Sequence, residues 1–352
     1  MKPASGIVFG RQAQSGRGRM HGVSENRNCP LSIDPQWSRR AFIDAVPACS
    51  GRDRPGSRFP RGIPLPTMDR RQAMERLKIN LIGPGKVGLT ILRRIAMTGA
   101  CTVQDIAGRS IEKAEAAVAF VGAGAAVRSV ADMRQADLWL LTVPDSQVAT
   151  AAAELAATPT ASDTPSVAVH CSGFLPADEM KPLRALGWQL ASLHPVLTFA
   201  EPAKAVSHFD GVSCGMEGDA GALALVEPLV TEIGGMPFGI RSEAKAIYHA
   251  AAVFSSNFNV VLQAIAREAW AKAGVPDDVA AALNATLMSA CTDNVMELGP
   301  ARALTGPASR GDQRVVDEQE AAVRSWHPDA GEIYREMSVL AQRLKRTGGT
   351  LE

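Results

Sequence analysis

The feature that most constrains this chain is a glycine-rich turn directly after a short apolar strand. Lys78–Ile82 is predicted as the strand, and the turn at residues 83–88 reads GPGKVG, which fits G-x-G-x-x-G. In dinucleotide-binding folds the first glycine permits a tight turn, the second admits a pyrophosphate, and the third lets a helix pack on the strand. N–H groups at the start of that helix hold the phosphates. The turn therefore predicts a dinucleotide site of the Rossmann type.

The sequence that follows the turn completes one βαβ unit and indicates the cofactor. Residues 89–97 are predicted as a helix and Thr102–Ala107 as the next strand, which leads into Arg109 and Ser110. At this distance from the glycines an NAD site carries an acidic residue for the ribose 2′-hydroxyl, whereas an NADP site places an arginine near the 2′-phosphate. Arg109 and Ser110 stand there without an acid. We therefore expect NADP rather than NAD, with a solvated loop arginine as the alternative interpretation.

Strands and helices continue to alternate up to about residue 240. The apolar run at residues 137–143 is typical of a central parallel strand covered on both faces. Ligands bind beyond the carboxyl ends of such strands, so Val143 and Pro144 are expected in the cofactor groove, unless they form only a turn. The other strands are predicted at residues 125–130, 166–170, 189–193, 212–216 and 237–240. The expected cofactor-binding residues are Gly83, Pro84, Gly85, Lys86, Val87, Gly88, Arg109, Ser110, Val143 and Pro144.

Polar residues follow two of the later predicted strands. His170, Ser172 and Gly173 stand at the end of one, and His194 stands at the end of the next. A histidine before a proline is often a turn residue satisfied by backbone, so a structural role is the alternative for His194. Because both clusters fall at the same edge of a parallel sheet, they are candidate substrate contacts.

A long helix is predicted to start at Ser242, as its N-cap, and to run without interruption to residue 273. Lys245, His249 and Ser256 fall on one stripe of this helix, and Tyr248 faces elsewhere. The flanks are so apolar that we expect a buried helix with its polar side toward a cleft, although a solvated face is the usual meaning of such a stripe.

Hydride transfer requires a proton donor for the heteroatom of the substrate. Lysine suits this role when burial lowers its pKa, and histidine suits it without a shift. Lys245 and His249 are four residues apart and so lie side by side on the helix. Which of the two donates the proton stays open.

Composition sets the organisation of the chain. A length of 352 residues with 46% hydrophobic residues is enough for two domains. Residues 1–71 hold 13 Lys and Arg but only 5 Asp and Glu, so the remainder is net acidic and argues against nucleic-acid binding. We expect a disordered extension at residues 1–75, with the natural start at Met68 or Met74, a dinucleotide-binding domain at 76–240 and a helical domain at 241–352.

The same composition indicates the surroundings of the protein. No apolar stretch approaches the roughly 18 residues of a membrane span, so no membrane partner is expected. The six cysteines show neither C-x-x-C pairing nor metal-ligand spacing, which predicts no metal site and a reducing cytoplasm.

The ordered motifs together resemble the β-hydroxyacid dehydrogenase superfamily. The similarity rests on the glycine turn, on Gly108-Arg109-Ser110, on Val143-Pro144-Asp145 and on the long helix that opens with Lys245. It implies an α/β Rossmann-type doubly wound sheet followed by an all-α domain similar to the C-terminal domain of 6-phosphogluconate dehydrogenase. The catalytic lysine of the superfamily maps onto Lys245, while His249 stands where its members carry asparagine.

A closer resemblance is to a poorly characterised branch with a Rossmann-like NADP-binding domain and a helical domain of unknown function. It is carried by Ser192-Leu-His-Pro195, by the run KAIYHAAAVFSSN at residues 245–257 and by Arg310-Gly-Asp312. The resemblance implies a homodimer formed through the helical domain. Ser-x-His-Pro also resembles an element of prephenate dehydrogenases.

These lines of reasoning predict an NADP-dependent oxidoreductase. It would transfer hydride between NADP(H) and a small oxo-, imino- or hydroxy-acid. A prephenate dehydrogenase-like enzyme and a non-catalytic NADP-binding sensor are the alternatives. The expected catalytic residues are Lys245, His249 and His194, and the expected substrate contacts are Ser172, Gly173, Ser256 and Asn257.

Overall fold

One eight-stranded sheet organises the first half of the described residues. The computed structural model describes residue 74 and residues 76–351, so the expected extension at residues 1–75 lies outside the described residues except for Met74. The strands are β1 (Lys78–Ile82), β2 (Thr102–Ala107), β3 (Ala125–Val127), β4 (Leu138–Leu141), β5 (Val167–His170), β6 (Gln189–Pro195), β7 (Ser213–Gly218) and β8 (Met236–Gly239).

Helices connect these strands and form the rest of the described chain. The helices beside the sheet are α1 (Lys86–Thr98), α2 (Ile111–Val121), α3 (Val148–Ala156), α4 (Pro159–Asp163), α5 (Lys181–Arg184), α6 (Pro202–Ser207) and α7 (Ala220–Glu232). Those that follow it are α8 (Lys245–Ser255), α9 (Asn257–Lys272), α10 (Asp277–Leu298), α11 (Pro300–Ala303), α12 (Pro307–Arg310), α13 (Gln313–Trp326) and α14 (Pro328–Thr347). No helix in residues 76–351 is long and apolar enough to cross a membrane.

The strand order across the sheet is β3-β2-β1-β4-β5-β6-β7-β8. Neighbouring strands are parallel except for the antiparallel pair β6 and β7. The chain moves outward in one direction from β1 and then crosses to β4 on its other side. A crevice opens at such a reversal, beyond the carboxyl ends of the strands. The predicted α/β fold, a Rossmann-type sheet followed by an all-α region, is confirmed.

The centre of the sheet is buried on both faces, as its apolar strands require. In β4 Leu138 and Leu140 join the core on one face, and Trp139 and Leu141 join the core on the other. Side chains alternate between faces along a strand, so an unbroken apolar run fits only a strand that is covered twice. Burying a side chain of this size contributes roughly 1.5–3 kcal/mol, and this fixes the position of the residues that follow β4.

The expected uninterrupted helix from Ser242 to residue 273 is wrong in two respects. Ser242 starts a short 3-10 turn, and its hydroxyl donates to Glu217 (2.5 Å) instead of capping a helix. The helix itself is broken at Ser256, whose φ of −128° and ψ of −69° are not helical. The hydroxyls of Ser255 and Ser256 donate to carbonyls four residues earlier. Such bonds compete with the helical ladder and bend helices.

The expectation that this helix is buried is also wrong. Ile247, Phe254 and Val260 are 72%, 68% and 71% exposed. Within residues 241–351 the buried residues are Lys245, Ala280, Val316, Ala330 and Gly331. The helical region therefore exposes most of the apolar surface that the sequence assigns to a core.

Candidate functional site

The glycine turn has the geometry that a dinucleotide requires. Gly83 has a φ of +76°, which favours glycine. A Cβ on Gly83 would overlap the Val143 side chain, and a Cβ on Gly88 would overlap Thr142 Oγ1. Helix α1 starts at Lys86, and Gly85 caps it without a side-chain hydrogen bond. Its first-turn N–H groups can therefore bind a phosphate.

A cavity of about 640 Å³ lies beside this turn. Among the predicted cofactor residues it is lined by Gly83, Arg109, Val143 and Pro144. Arg128, which follows β3, brings a second guanidinium to the same cavity. Arg128 could have been predicted from the sequence because it directly follows a strand of the same parallel sheet. The carboxyl ends of parallel strands lie at one edge, so Arg109 and Arg128 fall close together.

The remaining predicted cofactor residues lie outside that lining. Lys86 directs its ammonium to the carbonyl of Ala200 (2.8 Å). Ser110 caps α2, accepting a hydrogen bond from the N–H of Lys113 (3.5 Å). Pro84, Gly85, Val87 and Gly88 form the turn and the start of α1.

Lys245 lies at the junction between the sheet and the helices and is 1% exposed. Its Nζ donates to the Ser172 carbonyl (2.9 Å) and to Ser192 Oγ (2.6 Å), and it lies 3.8 Å from Glu217 Oε1. Burial lowers the pKa of Lys245 to about 8, against the opposing effect of the Glu217 charge. An ammonium with this pKa can exchange its proton near neutral pH.

His194 and His249 converge on Gly173, which follows β5. A Cβ on Gly173 would overlap His249 Nδ1 and would lie 2.8 Å from His194 Nε2. The two rings are edge to face at 5.5 Å. His249 Nδ1 is buried and has no hydrogen-bond partner among the described residues. Residue 173 therefore has no room for a side chain between the two histidines. His194 Nε2 and His249 Nδ1 both face the small space that the glycine leaves.

Tyr248 completes this group, although its position on the helix predicts that it faces elsewhere. Its hydroxyl lies 2.8 Å from Nδ1 of His194 and approaches Gly215, where a Cβ would lie only 2.6 Å away. Burial raises the pKa of Tyr248 to about 12, so the phenol stays protonated. Burial, followed by the charges of His249 and Lys245, lowers the pKa of His194 to about 4. The His194 ring is therefore neutral at neutral pH.

Ser172 joins the histidine group to the cofactor cavity. Its hydroxyl donates to Asp145 Oδ2 (2.8 Å), and Asp145 directly follows Pro144 of that cavity. The Ser172 hydroxyl oxygen in turn accepts hydrogen bonds from the N–H groups of Phe174 and Leu175. His170 accepts from the Ser172 N–H (3.1 Å), and its Nε2 lies 3.0 Å from the carbonyl of Pro176. His170 thus supports the turn that carries Ser172.

A second cavity, of about 670 Å³, opens in front of the histidines. It is lined by the predicted residues His194, His249, Ser256 and Asn257, with Tyr248 beside them. Lys245 and Ser172 do not line it and lie behind the histidines. Glu217 is missing from the predicted set because it is one acid in an otherwise ordinary strand, and only the antiparallel pairing of β6 with β7 brings it to Ser192.

The fold and the site define a class, a Rossmann-like dinucleotide-binding protein with a helical C-terminal domain. Comparison with protein families agrees. Residues 64–195 match the Rossmann-like domain, and residues 212–340 match a domain of unknown function, DUF2520. The chain thus joins a Rossmann-like domain to a DUF2520 domain, the two-domain arrangement that its motifs predict. No curated protein gives a significant match.

Solved structures share this architecture. Protein TM1727 from Thermotoga maritima is 29% identical with a TM-score of 0.61, and the match covers 77% of this chain and 99% of that one. BF3122 from Bacteroides fragilis, described as an NADP oxidoreductase, is 22% identical with a TM-score of 0.62 and the same coverage. An imine reductase from Myxococcus stipitatus in complex with NADP+ is 15% identical with a TM-score of 0.55, covering 78% and 96%.

Proposed function

We propose that this protein is an NADP-dependent oxidoreductase that transfers hydride between NADP(H) and a small oxo-, imino- or hydroxy-acid. The observation that carries the proposal is the convergence of His194 Nε2 and His249 Nδ1 above Gly173. This point lies at the same strand edge as the cofactor cavity. Bound NADPH supplies hydride to a C=O or C=N carbon.

The residues of this chain would supply the proton and orient the substrate. When the Tyr248 hydroxyl donates to His194 Nδ1, the Nε2 of a neutral ring carries the proton and can donate to a substrate heteroatom. His249 Nδ1 offers a second polar contact beside it. Lys245 does not line the cavity, so its charge acts from behind the histidines through Ser172 and Ser192.

Arg109 and Arg128 are proposed to hold the 2′-phosphate of NADP. Two guanidiniums in one cavity fit a dianionic phosphate, which Arg binds with charge-assisted hydrogen bonds. Replacing Arg109 by Ala should raise the Kd for NADPH roughly ten- to a hundredfold, since such a bond contributes about 1.5–3 kcal/mol. The Kd for NADH should change little, and Arg314→Ala on the exposed face of α13 is the control. Equal weakening of both cofactors would contradict this assignment.

Turnover decides between an enzyme and a sensor. Protein saturated with NADPH should oxidise it in the presence of one member of a panel of oxo acids and cyclic imines, the hydride-accepting forms of the proposed substrates, followed at 340 nm. His194→Gln should abolish that oxidation and leave NADPH binding intact. Tight NADPH binding with no oxidation across the panel would refute the enzyme and leave the non-catalytic sensor.

The helical region is proposed to pair with a second copy of the chain. In residues 241–351 very few side chains are buried, while Phe254, Phe258, Leu287 and Met296 are exposed. A helical layer must bury its apolar stripe against another element. The exposed apolar residues lie along the long helices, so a matching apolar helical face could cover them. A second copy of the chain carries such a face.

A further inference from the structure

Glu217 joins three segments that come from different parts of the chain. The residue lies in β7 opposite Ser192 of β6 and is 5% exposed. Its Oε1 accepts from the N–H of Ala177 (2.6 Å), in the connection after β5. Its Oε2 accepts from Ser242 (2.5 Å), between the sheet and the helical region, and the same carboxylate lies 3.8 Å from Lys245 Nζ.

This carboxylate is costly where it lies, so its position requires an explanation. A buried charge is tolerated when it is paired and its oxygens are hydrogen-bonded, and removing its partner leaves an uncompensated charge. Both Glu217 oxygens have a neutral donor, and Lys245 is the adjacent cation. The hydrogen bonds hold the carboxylate still, and the ammonium is held against it by Ser172 and Ser192.

Several titratable groups surround Lys245. Glu217 faces it from β7, Cys171 from the end of β5 and Asp145 from the end of β4, and all three favour its charged form. His170 on β5 and His194 on β6 lie close enough for the Lys245 charge to lower their pKa values. Glu217 is the first of the electrostatic contributions and the one in ion-pair distance.

We propose that Glu217 is a positioning residue of the site: it keeps Lys245 charged and fixed between Ser172 and Ser192, and through Ser242 it ties the start of the helical region to the sheet. This role rests on the proposed function, in which Lys245 and Ser172 support the histidines that contact the substrate. Loss of the carboxylate frees the ammonium to deprotonate at lower pH and to leave the Ser172 carbonyl.

The test measures the titration of Lys245 directly. Full-length protein labelled with 13C at lysine Cε is titrated by NMR, and the Lys245 resonance is assigned with Lys245→Met. The Lys245 pKa is about 8 before substitution. Glu217→Gln keeps the size of the side chain and removes its charge, so the midpoint should fall by about one pH unit or more. Glu227→Gln, an exposed acid in α7, is the control and should leave the midpoint unchanged.

Two further variants separate charge from shape. Glu217→Asp keeps the charge and should move the midpoint much less than Glu217→Gln. Equal shifts in both would assign the effect to packing and overturn the proposal, as would an unchanged midpoint in Glu217→Gln. If that variant does not fold, Ser242→Ala releases one carboxylate oxygen and should lower the midpoint by a smaller amount, and no change there overturns the proposal.

The titration needs no turnover, so it is independent of the proposed activity. If no compound of the panel is reduced, the proposed function fails while the NMR result still decides whether Glu217 sets the charge of Lys245. If a substrate is found, the pH profile of kcat for Glu217→Gln should shift to lower pH together with the Lys245 resonance. If the pH profile of kcat is unchanged while the Lys245 resonance titrates at lower pH, the charge of Lys245 does not affect the reaction.

Discussion

At the scale of single residues, the site depends on two glycines as much as on its histidines and tyrosine. Gly173 leaves the space in which His194 and His249 meet, and Gly215 leaves room for the Tyr248 hydroxyl. Glycine is used here for close approach of neighbouring groups. A Cβ at either position would displace a ring that the proposed reaction needs.

Gly173→Ala should therefore reduce turnover strongly without weakening the cofactor site. Its Cβ overlaps His249 Nδ1 and crowds His194 Nε2, and displacement of reacting groups by about 1 Å costs on the order of 100-fold in rate. We expect kcat to fall by about that factor while the Kd for NADPH is unchanged. Gly239→Ala is the matched control, since no atom lies within 4 Å of its Cβ. Wild-type kcat in Gly173→Ala would contradict the placement of the substrate.

Stability should fall in mild acid because of the buried histidine behind Ser172. Burial lowers the pKa of His170 to about 4, below the ordinary value of about 6.5. Between these two pKa values the unfolded state binds more protons than the folded state, so the free energy of unfolding rises with pH. The contribution of His170 to stability is therefore lost as the pH falls from about 6.5 to about 4. At pH 5 the loss from His170 is about 2 kcal/mol.

Urea unfolding at pH 7.5 and pH 5 tests this dependence. His170→Gln carries no titrating ring, so its unfolding midpoint should change less between the two pH values than that of the wild-type protein. His208→Gln, at an exposed position, is the control and should behave as wild type. Identical pH dependence in His170→Gln and wild type would show that His170 does not contribute.

At the scale of elements, the sequence predicts the sheet better than the helical region. The strands were predictable because apolar runs and the glycine turn have a direct geometric meaning, and β2 and α2 occupy the predicted residues. The break at Ser256 was not, because serine is tolerated within helices and the bend follows from its hydroxyl bonds. Nor could the partner of Lys245 be predicted, since Glu217 reaches it only through strand pairing.

The packing of α1 on the sheet gives a prediction at this scale. A Cβ on Gly88 overlaps Thr142 Oγ1 and lies 2.9 Å from Leu81 Cδ1, so Gly88→Ala must push the helix away from β1 and β4. Overpacking of this kind costs about 1–3 kcal/mol. Calorimetry should show a lower Tm, and NADPH binding should weaken because the helix start moves with α1. An unchanged Tm would contradict the close packing, with Gly239→Ala again as the control.

At the scale of the whole molecule, the sheet has two buried cores and the helical region has almost none. The sheet is covered on both faces by its own helices. Within residues 241–351, by contrast, apolar side chains of α8, α9 and α10 face outward. A soluble monomer rarely exposes so large an apolar surface. The cavity in front of His194 and His249 borders this surface, because Ser255, Ser256 and Asn257 line it, so a second copy would also cover its open side.

Disrupting that surface should therefore convert a dimer into a monomer and impair the site together. Phe254 is exposed and stacks edge to face on Phe258, and Phe254→Asp places a charge where an apolar face is expected. Light scattering should give twice the chain mass of 37.1 kDa for the wild type and a smaller mass for the variant. Met97→Asp, an exposed apolar residue on α1 of the sheet, should leave the mass unchanged. A wild-type protein that is monomeric at micromolar concentration would overturn the pairing, and a dimer unaffected by Phe254→Asp would move the interface away from α8.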